Sequence, residues 1–269
     1  FATCPSPNPE NDASFSECYK LADEVKPDLV IATDPDSDRI AVAIPTASGY
    51  RKFSGNEMGC LLLQYILRAM KEENKLPAHP VAVKSVVSTP LADRIAAAYG
   101  CTMRTVLTGF KYIGGVILEL EQAGHADDFV LGFEESCGYL KGDYARDKDA
   151  VVTAMLIAEM AATSKLAGRT LADEMDALYA QYGCFAAGQT NVVFTSDEQK
   201  AACMALLDAL RAAPPKTLAD WPVTSVTDFR AGLETDTATG TQTPTGLPRE
   251  NMLRLTLGEH GTVILRPSG

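Results

Sequence analysis

Residues 29–39 read LVIATDPDSDR, an apolar stretch that runs straight into a loop with aspartate at every second position and an arginine at its end. The apolar residues predict a buried strand, so the acidic loop lies at the carboxyl end of that strand. Open α/β sheets bind their ligands at that end of their strands. This stretch therefore predicts an α/β protein with a binding site at residues 34–39.

The three carboxylates of the loop, those of Asp34, Asp36 and Asp38, repel one another when they lie close together. At about 4 Å and an effective dielectric near 20, each like pair costs roughly 4 kcal/mol before screening by salt. A divalent cation reverses the sign of that contribution. Hard oxygen ligands favour Mg²⁺, which fills its remaining positions with water or phosphate oxygens. The loop therefore predicts a Mg²⁺ site that serves a phosphorylated substrate.

The acidic loop has three other interpretations. Aspartate is common in solvated turns, but three alternating aspartates followed by arginine favour a metal site. An EF-hand loop needs glycine at its sixth position and glutamate at its twelfth, where this chain has Arg39 and Pro45. A phosphatase with an aspartyl nucleophile also carries an Asp-x-Asp pair, but the sequence offers no obvious partner lysine and distal acidic pair.

Composition narrows the class of protein. The chain has 269 residues, 46% of them apolar and 22% charged, which is typical of a globular protein of two or three small domains. The net charge of −11 argues against a nucleic-acid partner, but not against an anionic substrate. Seven widely spaced cysteines without a Cys-x-x-Cys pair predict reduced thiols and a cytoplasmic location. No apolar run approaches the length of a membrane span, so no membrane partner is expected.

Strands alternate with helices over most of the chain, which predicts an α/β fold with mixed, mainly parallel sheets flanked by helices. The last stretch changes character and predicts a small α+β domain, in which residues 253–257 and 263–266 form paired strands. We therefore expect three parts: the C-terminal part of a metal-binding α/β domain, a sugar-binding α/β domain and a truncated α+β phosphate-binding domain. Their residues are 1–56, 57–187 and 188–269.

Three local features carry expectations that the structure tests directly. Gly49 and Tyr50 predict a turn, and Asn56 is expected to cap a strongly amphipathic helix. Residues 190–194, TNVVF, predict a strand.

Two further polar loops follow predicted strands. In residues 108–111, TGFK, the glycine allows a close approach of the backbone to a ligand, and Lys111 suits a phosphate. In residues 132–136, GFEES, Glu134 and Ser136 are two apart, so they face the same side of an extended loop. A carboxylate with a hydroxyl is suited to hold sugar hydroxyls. Each loop alone also fits an ordinary turn or cap.

Two more segments complete the pattern. Residues 146–149, RDKD, fit a solvated helix start, and residues 266–269, RPSG, offer guanidinium, hydroxyl and backbone N–H groups to a phosphate. Together, a cation loop, a sugar-hydroxyl loop and a terminal phosphate loop predict a cleft for a phosphosugar.

With these loops in this order, the chain resembles the α-D-phosphohexomutase superfamily, the phosphoglucomutases and phosphomannomutases. The resemblance extends along essentially the whole chain and leans toward the branch with phosphoglucomutase-2-like and phosphopentomutase enzymes. It implies Mg²⁺ ligands at Asp34, Asp36 and Asp38, and catalytic roles for Arg39 and Lys148. It also implies substrate contacts from Thr108, Gly109, Lys111, Glu134, Ser136, Arg266, Ser268 and Gly269.

The resemblance implies an isomerase of carbohydrate metabolism, an intramolecular phosphotransferase. A phosphoserine would transfer its phosphoryl group to a hexose phosphate, and the bisphosphorylated intermediate would reorient and return the other phosphoryl group. The expected partners are Mg²⁺ and a sugar phosphate that is interconverted between its 1-phosphate and 6-phosphate.

The departures from the family pattern carry their own expectations. The family's Thr-x-Ser-His-Asn-Pro-type serine loop does not occur in the sequence, and the chain ends directly after residues 266–269. We therefore expect a fragment of a longer enzyme, inactive by itself. Gly138 and Tyr139 stand where some branches carry a histidine, so the general base stays open. Also open are the sugar, the oligomeric state and two alternatives, a phosphopentomutase and a non-catalytic phosphosugar-binding relative.

Overall fold

The computed structural model describes residues 2–267. The chain divides into two compact units, residues 1–187 and residues 188–269. Each unit is described by itself below. The division of the first unit at residue 56 stays a prediction.

The first unit opens with α1 and a sheet of three antiparallel strands in the order β1-β2-β3. The elements are α1 (Ser16–Val25), β1 (Val30–Thr33), β2 (Ile40–Thr46) and β3 (Gly49–Lys52). The predicted turn at residues 49–50 is wrong, because Thr46 pairs with Gly49 and the turn is therefore residues 47–48. The acidic loop joins β1 to β2 as a hairpin, so its strand pairs in antiparallel rather than parallel fashion.

The long helix α2 (Gly55–Glu72) packs an apolar face into the core of the first unit. Its cap is Ser54, whose hydroxyl accepts from the Glu57 N–H while the Glu57 carboxylate accepts from the Ser54 N–H. The expected cap at Asn56 is therefore wrong. Asn56 lies inside the first turn, and its Oδ1 accepts from the Thr89 N–H at 2.9 Å. A capping box satisfies two helix N–H groups at once, which explains the earlier start.

The second sheet of this unit is mainly parallel. Its order is β5-β4-β6-β7, with parallel β4–β5 and β4–β6 pairs and an antiparallel β6–β7 pair. The strands are β4 (Val81–Ser85), β5 (Thr102–Val106), β6 (Phe129–Glu134) and β7 (Gly138–Leu140). The helices are α3 (Leu91–Ala98), α4 (Phe110–Gln122), α5 (Ala150–Leu166) and α6 (Leu171–Tyr182). The predicted mixed α/β class is confirmed, with parallel pairing confined to this sheet among the described residues.

The second unit is an antiparallel sheet of five strands in the order β12-β11-β10-β13-β14, together with a helix and a two-stranded ribbon. The predicted pairing of residues 253–257 with 263–266 is confirmed. Residues 190–194 form no strand, because no described strand pairs with them and the Val192 and Val193 side chains stay exposed. The elements are α7 (Asp197–Ala212), β8 (Thr217–Leu218), β9 (Trp221–Pro222), β10 (Ser225–Asp228), β11 (Leu233–Asp236), β12 (Gln242–Pro244), β13 (Leu253–Thr256) and β14 (Thr262–Leu265).

Within residues 2–267, no single helix has both the length and the apolar character needed to cross a membrane. The pair α5 and α6, bent by 86° at its break, meets these criteria jointly, by length and composition alone.

Candidate metal and phosphosugar site

The acidic hairpin brings its three carboxylates together. The Asp34 side chain accepts hydrogen bonds from the backbone N–H groups of Asp38 and Arg39, at 3.1 and 2.9 Å. Ser37 lies in the left-handed region with φ of 57°, which turns the loop back toward β2. As a result, Asp34, Asp36 and Asp38 each place an oxygen within 4.8 Å of the others. A local, Asx-type fold of the loop is thus enough to build the cluster.

The pKa values of Asp34 and Asp38 shift in opposite directions. Burial raises the pKa of Asp34, and the neighbouring Asp38 and Asp36 carboxylates raise it further. Burial also works against ionisation of Asp38, but the Lys148 ammonium, 2.9 Å from its Oδ2, lowers the pKa of Asp38 overall. Burial opposes the charge of Lys148 in turn, while Asp147 and Asp38 raise the pKa of Lys148 above its usual value.

The donor set of the hairpin fits Mg²⁺. All three groups are carboxylates, the hard oxygen ligands that this cation prefers. Asp36 is exposed, whereas Asp34 and Asp38 are half-buried, so one side of the cluster faces solvent. An ion held there would keep positions for water or for the oxygens of a phosphate.

Arg39 lies beside the cluster and connects it to a residue that the sequence did not single out. Its Nε is 3.9 Å from Asp34 Oδ2 and 3.8 Å from Asp38 Oδ1, while an Nη atom is 4.0 Å from Glu10 Oε2. The Lys52 ammonium holds the Glu10 carbonyl at 2.7 Å. The conformation of Arg39 therefore depends on a segment about thirty residues earlier in the sequence, and only the charge of Glu10 could have signalled this.

The acidic hairpin is joined to the loop that follows β6. The Ile40 N–H donates to the Cys137 carbonyl at 3.0 Å. Arg39 and Gly138 form an isolated antiparallel bridge. Backbone contacts thus place the predicted cation loop and the predicted sugar loop side by side in the first unit.

The start of α5 closes the same region. Asp149 caps the helix by accepting from two backbone N–H groups of the first turn, at 2.7 and 3.0 Å. The N–H of Ala150 donates to the Ser37 carbonyl at 3.0 Å, so the first turn of α5 lies against the acidic hairpin. Lys148 stands directly before this cap. The helix begins at Ala150, directly after residues 146–149, because the Asp149 side chain caps its first turn.

Glu134 joins the two predicted substrate loops. Its side chain is 5% exposed, and its Oε1 accepts from the Gly109 N–H at 2.6 Å. Gly109 has φ of 117°, a conformation that favours glycine, directly before α4. The Thr108 Oγ1 atom is buried without a hydrogen-bond partner among the described residues. A buried hydroxyl without a partner is costly, so this atom is suited to a ligand.

Of the other predicted substrate-binding residues, the structure gives a position in the fold for Ser136, Lys111 and Arg266. Ser136 is half-buried in the loop between β6 and β7. Lys111 is exposed, with its ammonium 4.9 Å from the Tyr112 ring. Arg266 follows β14 in the second unit. Ser268 and Gly269 lie outside the described residues.

Glu135, which the sequence pattern did not single out, attaches the sugar loop to the end of β4. Its Oε2 accepts from the Ser85 hydroxyl at 2.8 Å, and Ser85 and Ser88 share a further hydrogen bond of 2.8 Å. A Cβ on Gly55 would lie 2.7 Å from the Cys137 nitrogen and closer still to the Glu135 carbonyl oxygen. The loop therefore rests directly on the first turn of α2.

Comparison with known proteins places this geometry in a family. The sequence model described as "Phosphoglucomutase/phosphomannomutase, alpha/beta/alpha domain III" matches residues 54–182, and the corresponding domain II model matches residues 1–49. The chain belongs to the phosphoglucomutase/phosphomannomutase family. The predicted α-D-phosphohexomutase resemblance is thereby confirmed at the level of the superfamily.

Curated relatives and solved structures agree with this family. The phosphoglucomutase of Staphylococcus haemolyticus is 34% identical over the whole chain, and that of Staphylococcus aureus strain USA300 is 32% identical. The chain spans 48% of the length of each. A phosphoglucomutase from Paramecium, pp63/parafusin, shares the fold with a TM-score of 0.60 at 16% identity, over 97% of this chain and 43% of that one. A putative phosphomannomutase from Thermus thermophilus has a TM-score of 0.55 at 20% identity, over 97% and 47%.

Proposed function

We propose that the protein is a Mg²⁺-dependent phosphosugar mutase that interconverts hexose 1-phosphate and 6-phosphate through a phosphoserine and a bisphosphorylated intermediate. The observation that carries the proposal is the carboxylate cluster of Asp34, Asp36 and Asp38, in which Asp38 forms an ion pair with Lys148. Membership of the phosphoglucomutase/phosphomannomutase family supports the reaction class.

In this proposal Asp34, Asp36 and Asp38 hold the Mg²⁺ ion. A divalent cation there supplies positive charge that stabilises phosphoryl oxygens during transfer. Arg39 and the Lys148 ammonium, which flank the carboxylates, orient the transferring phosphoryl group by charge-assisted hydrogen bonds. The general base that takes the proton of the attacking hydroxyl stays open, because the raised pKa of Lys148 keeps this side chain as an ammonium.

The two linked loops bind the sugar. Glu134 and Ser136 hold sugar hydroxyls, and the buried Thr108 hydroxyl supplies a further hydrogen bond that residues 2–267 leave unmade. Gly109 allows close approach of the backbone, and Lys111 lies at the exposed rim as a positive charge for a phosphate. The non-reacting phosphate is bound by the C-terminal loop with Arg266, Ser268 and Gly269.

The phosphoserine itself is proposed to come from residues outside the 269 of this sequence, because no Thr-x-Ser-His-Asn-Pro-type loop occurs within them. In this proposal the bisphosphorylated intermediate reverses its orientation in the site between the two phosphoryl transfers.

The test uses the longest polypeptide that contains this chain. With Mg²⁺ and a trace of hexose bisphosphate, it is expected to convert glucose 1-phosphate to glucose 6-phosphate, with ribose 1-phosphate as the competing substrate that would identify a phosphopentomutase. Replacement of Asp34, Asp36 and Asp38 by alanine should abolish turnover, whereas Asp127→Ala, at an exposed position, should not. Unchanged turnover in the triple variant would refute the metal site. Sugar phosphate binding without turnover would favour the non-catalytic alternative.

A further inference from the structure

Gly138 opens β7, where it pairs with Glu134 of β6 and forms the bridge to Arg39. Unlike Gly109, it does not lie in the left-handed region of φ. Its backbone conformation is therefore open to any residue, and conformational freedom does not explain the glycine. The reason must lie in what occupies the space next to its Cα.

That space is filled by the side chain of Lys148. A Cβ built on Gly138 would lie 2.8 Å from Lys148 Cγ, closer still to Cδ, and 3.6 Å from Cε. The optimal separation of two non-bonded carbon atoms is about 3.5–4.0 Å. A methyl group on Gly138 and the Lys148 side chain in its present position therefore exclude each other. The atoms at risk lie in the middle of the stem, not at its free end.

The far end of Lys148 is held in place. Its ammonium is 2.9 Å from Asp38 Oδ2 and 2.8 Å from Asp147 Oδ1, and it lies 5.4 Å from the centre of the Phe110 ring. The lysine reaches the acidic hairpin only because its stem passes over a residue without a side chain. A stem that is pushed away from Gly138 cannot keep all three contacts.

We propose that Gly138 is a positioning residue, whose missing side chain forms the track along which Lys148 reaches Asp38. This inference deepens the proposed function and rests on it for its meaning in catalysis. Gly138, which follows the sugar loop, thereby determines whether a positive charge lies beside the carboxylates of the acidic hairpin. Because only a flexible side chain lies in the way, Gly138→Ala should fold and should displace the ammonium.

The first experiment is a double-mutant cycle read out as Mg²⁺ affinity by titration calorimetry. The variants are Gly138→Ala, Lys148→Met, which keeps the stem and removes the charge, and their combination. Loss of an ammonium 2.9 Å from Asp38 should strengthen cation binding in both single variants. We expect about threefold to thirtyfold in each, and no additional effect of Gly138→Ala when Lys148 is already methionine.

The matched control is Gly115→Ala. This glycine lies in α4, and a Cβ there meets nothing within 4 Å, so its Mg²⁺ affinity should equal that of the unsubstituted chain. Additive effects of Gly138→Ala and Lys148→Met, or a Gly138→Ala variant with unchanged affinity, would overturn the positioning role.

The second experiment does not depend on a metal ion. The rate at which acetic anhydride modifies Lys148, followed by mass spectrometry, should rise several-fold in Gly138→Ala, because the side chain is 13% exposed in its present position. An unchanged rate would refute the inference. If every variant failed to take up Mg²⁺, the proposed metal site would be wrong, and a faster modification of Lys148 would still establish that Gly138 positions it.

Discussion

The two loops that form the candidate site differ in what stabilises them: one is stabilised by contacts within the loop, the other by contacts with distant residues. The acidic hairpin, residues 34–39, is charge-dense, partly exposed and folded by hydrogen bonds from its own backbone N–H groups to the Asp34 side chain. The sugar loop, residues 132–136, is mostly buried, and its Glu134 and Glu135 are hydrogen-bonded to Gly109 and Ser85, which are distant in the sequence. Substitutions in the hairpin should therefore change ligand binding with little effect on folding. Substitutions in the sugar loop should change the free energy of unfolding first.

The largest expected effect tests the first half of this contrast. Replacing Asp34, Asp36 and Asp38 together by asparagine keeps their size but removes their charge. Mg²⁺ affinity should fall about 100-fold or more, because the number of charged ligands sets the strength of such sites. The melting temperature without Mg²⁺ should change little, since relief of the like-charge repulsion around Asp34 is offset by loss of the ion pair between Lys148 and Asp38. Calorimetry and thermal unfolding measure the two effects, and a large drop in melting temperature would contradict the contrast.

The second prediction concerns Glu134 in the sugar loop. Glu134→Ala removes the acceptor for the partly buried Gly109 N–H and should lower the free energy of unfolding by about 1–3 kcal/mol. Urea denaturation measures the loss, and Mg²⁺ affinity should barely change. Glu134→Gln is the matched control, because its amide oxygen still accepts this bond and should recover most of the stability. Equal unfolding free energies for the alanine variant and the unsubstituted chain would break the comparison.

A third, smaller effect lies where the hairpin meets α5. Asp149→Ala removes the cap of this helix and should cost about 1 kcal/mol at neutral pH. The Tyr144 hydroxyl and the backbone N–H groups of the first turn lower the pKa of Asp149, although burial opposes them. The contribution of Asp149 is then complete above its unfolded pKa, about 4, and is lost as the pH falls through the lower folded value.

The measurement for Asp149 is a series of urea denaturations between neutral and acidic pH. The stability difference between the unsubstituted chain and Asp149→Ala should be constant near pH 7 and shrink below pH about 4. A difference that grows on acidification would mean that the carboxylate is not the favoured form of the cap.

The smallest expected effect is at Ser37, the one hairpin residue in the left-handed region. For residues other than glycine this conformation costs roughly 1–2 kcal/mol. Ser37→Gly relieves that cost, but glycine loses about 0.5–1 kcal/mol more backbone entropy on folding. A net gain of about 0.5 kcal/mol is expected by thermal unfolding, with unchanged Mg²⁺ affinity because the three carboxylates remain. A weaker affinity would show that Ser37 does more than shape the loop.

Much of the local structure was readable in the sequence. The apolar spacing in α2 predicted this helix, and alternation of aspartate in a short loop predicted the carboxylate cluster that the fold assembles. The start of α2 and the turn before β3 were each misplaced by two residues. Such boundaries depend on which of several adjacent polar residues makes the cap or the register, and neighbouring candidates look alike in a sequence.

The sequence by itself determined the family, the mixed α/β class and the carboxylate cluster of the acidic loop, because short motifs and periodicity depend on residues that are close in the chain. Only the tertiary structure decided that Glu135 is bonded to Ser85, fifty positions away, that Lys148 crosses Gly138 to reach Asp38, and that residues 190–194 pair with no described strand. These contacts join residues far apart in sequence. Their partners are chosen by how whole elements pack, which no local pattern encodes.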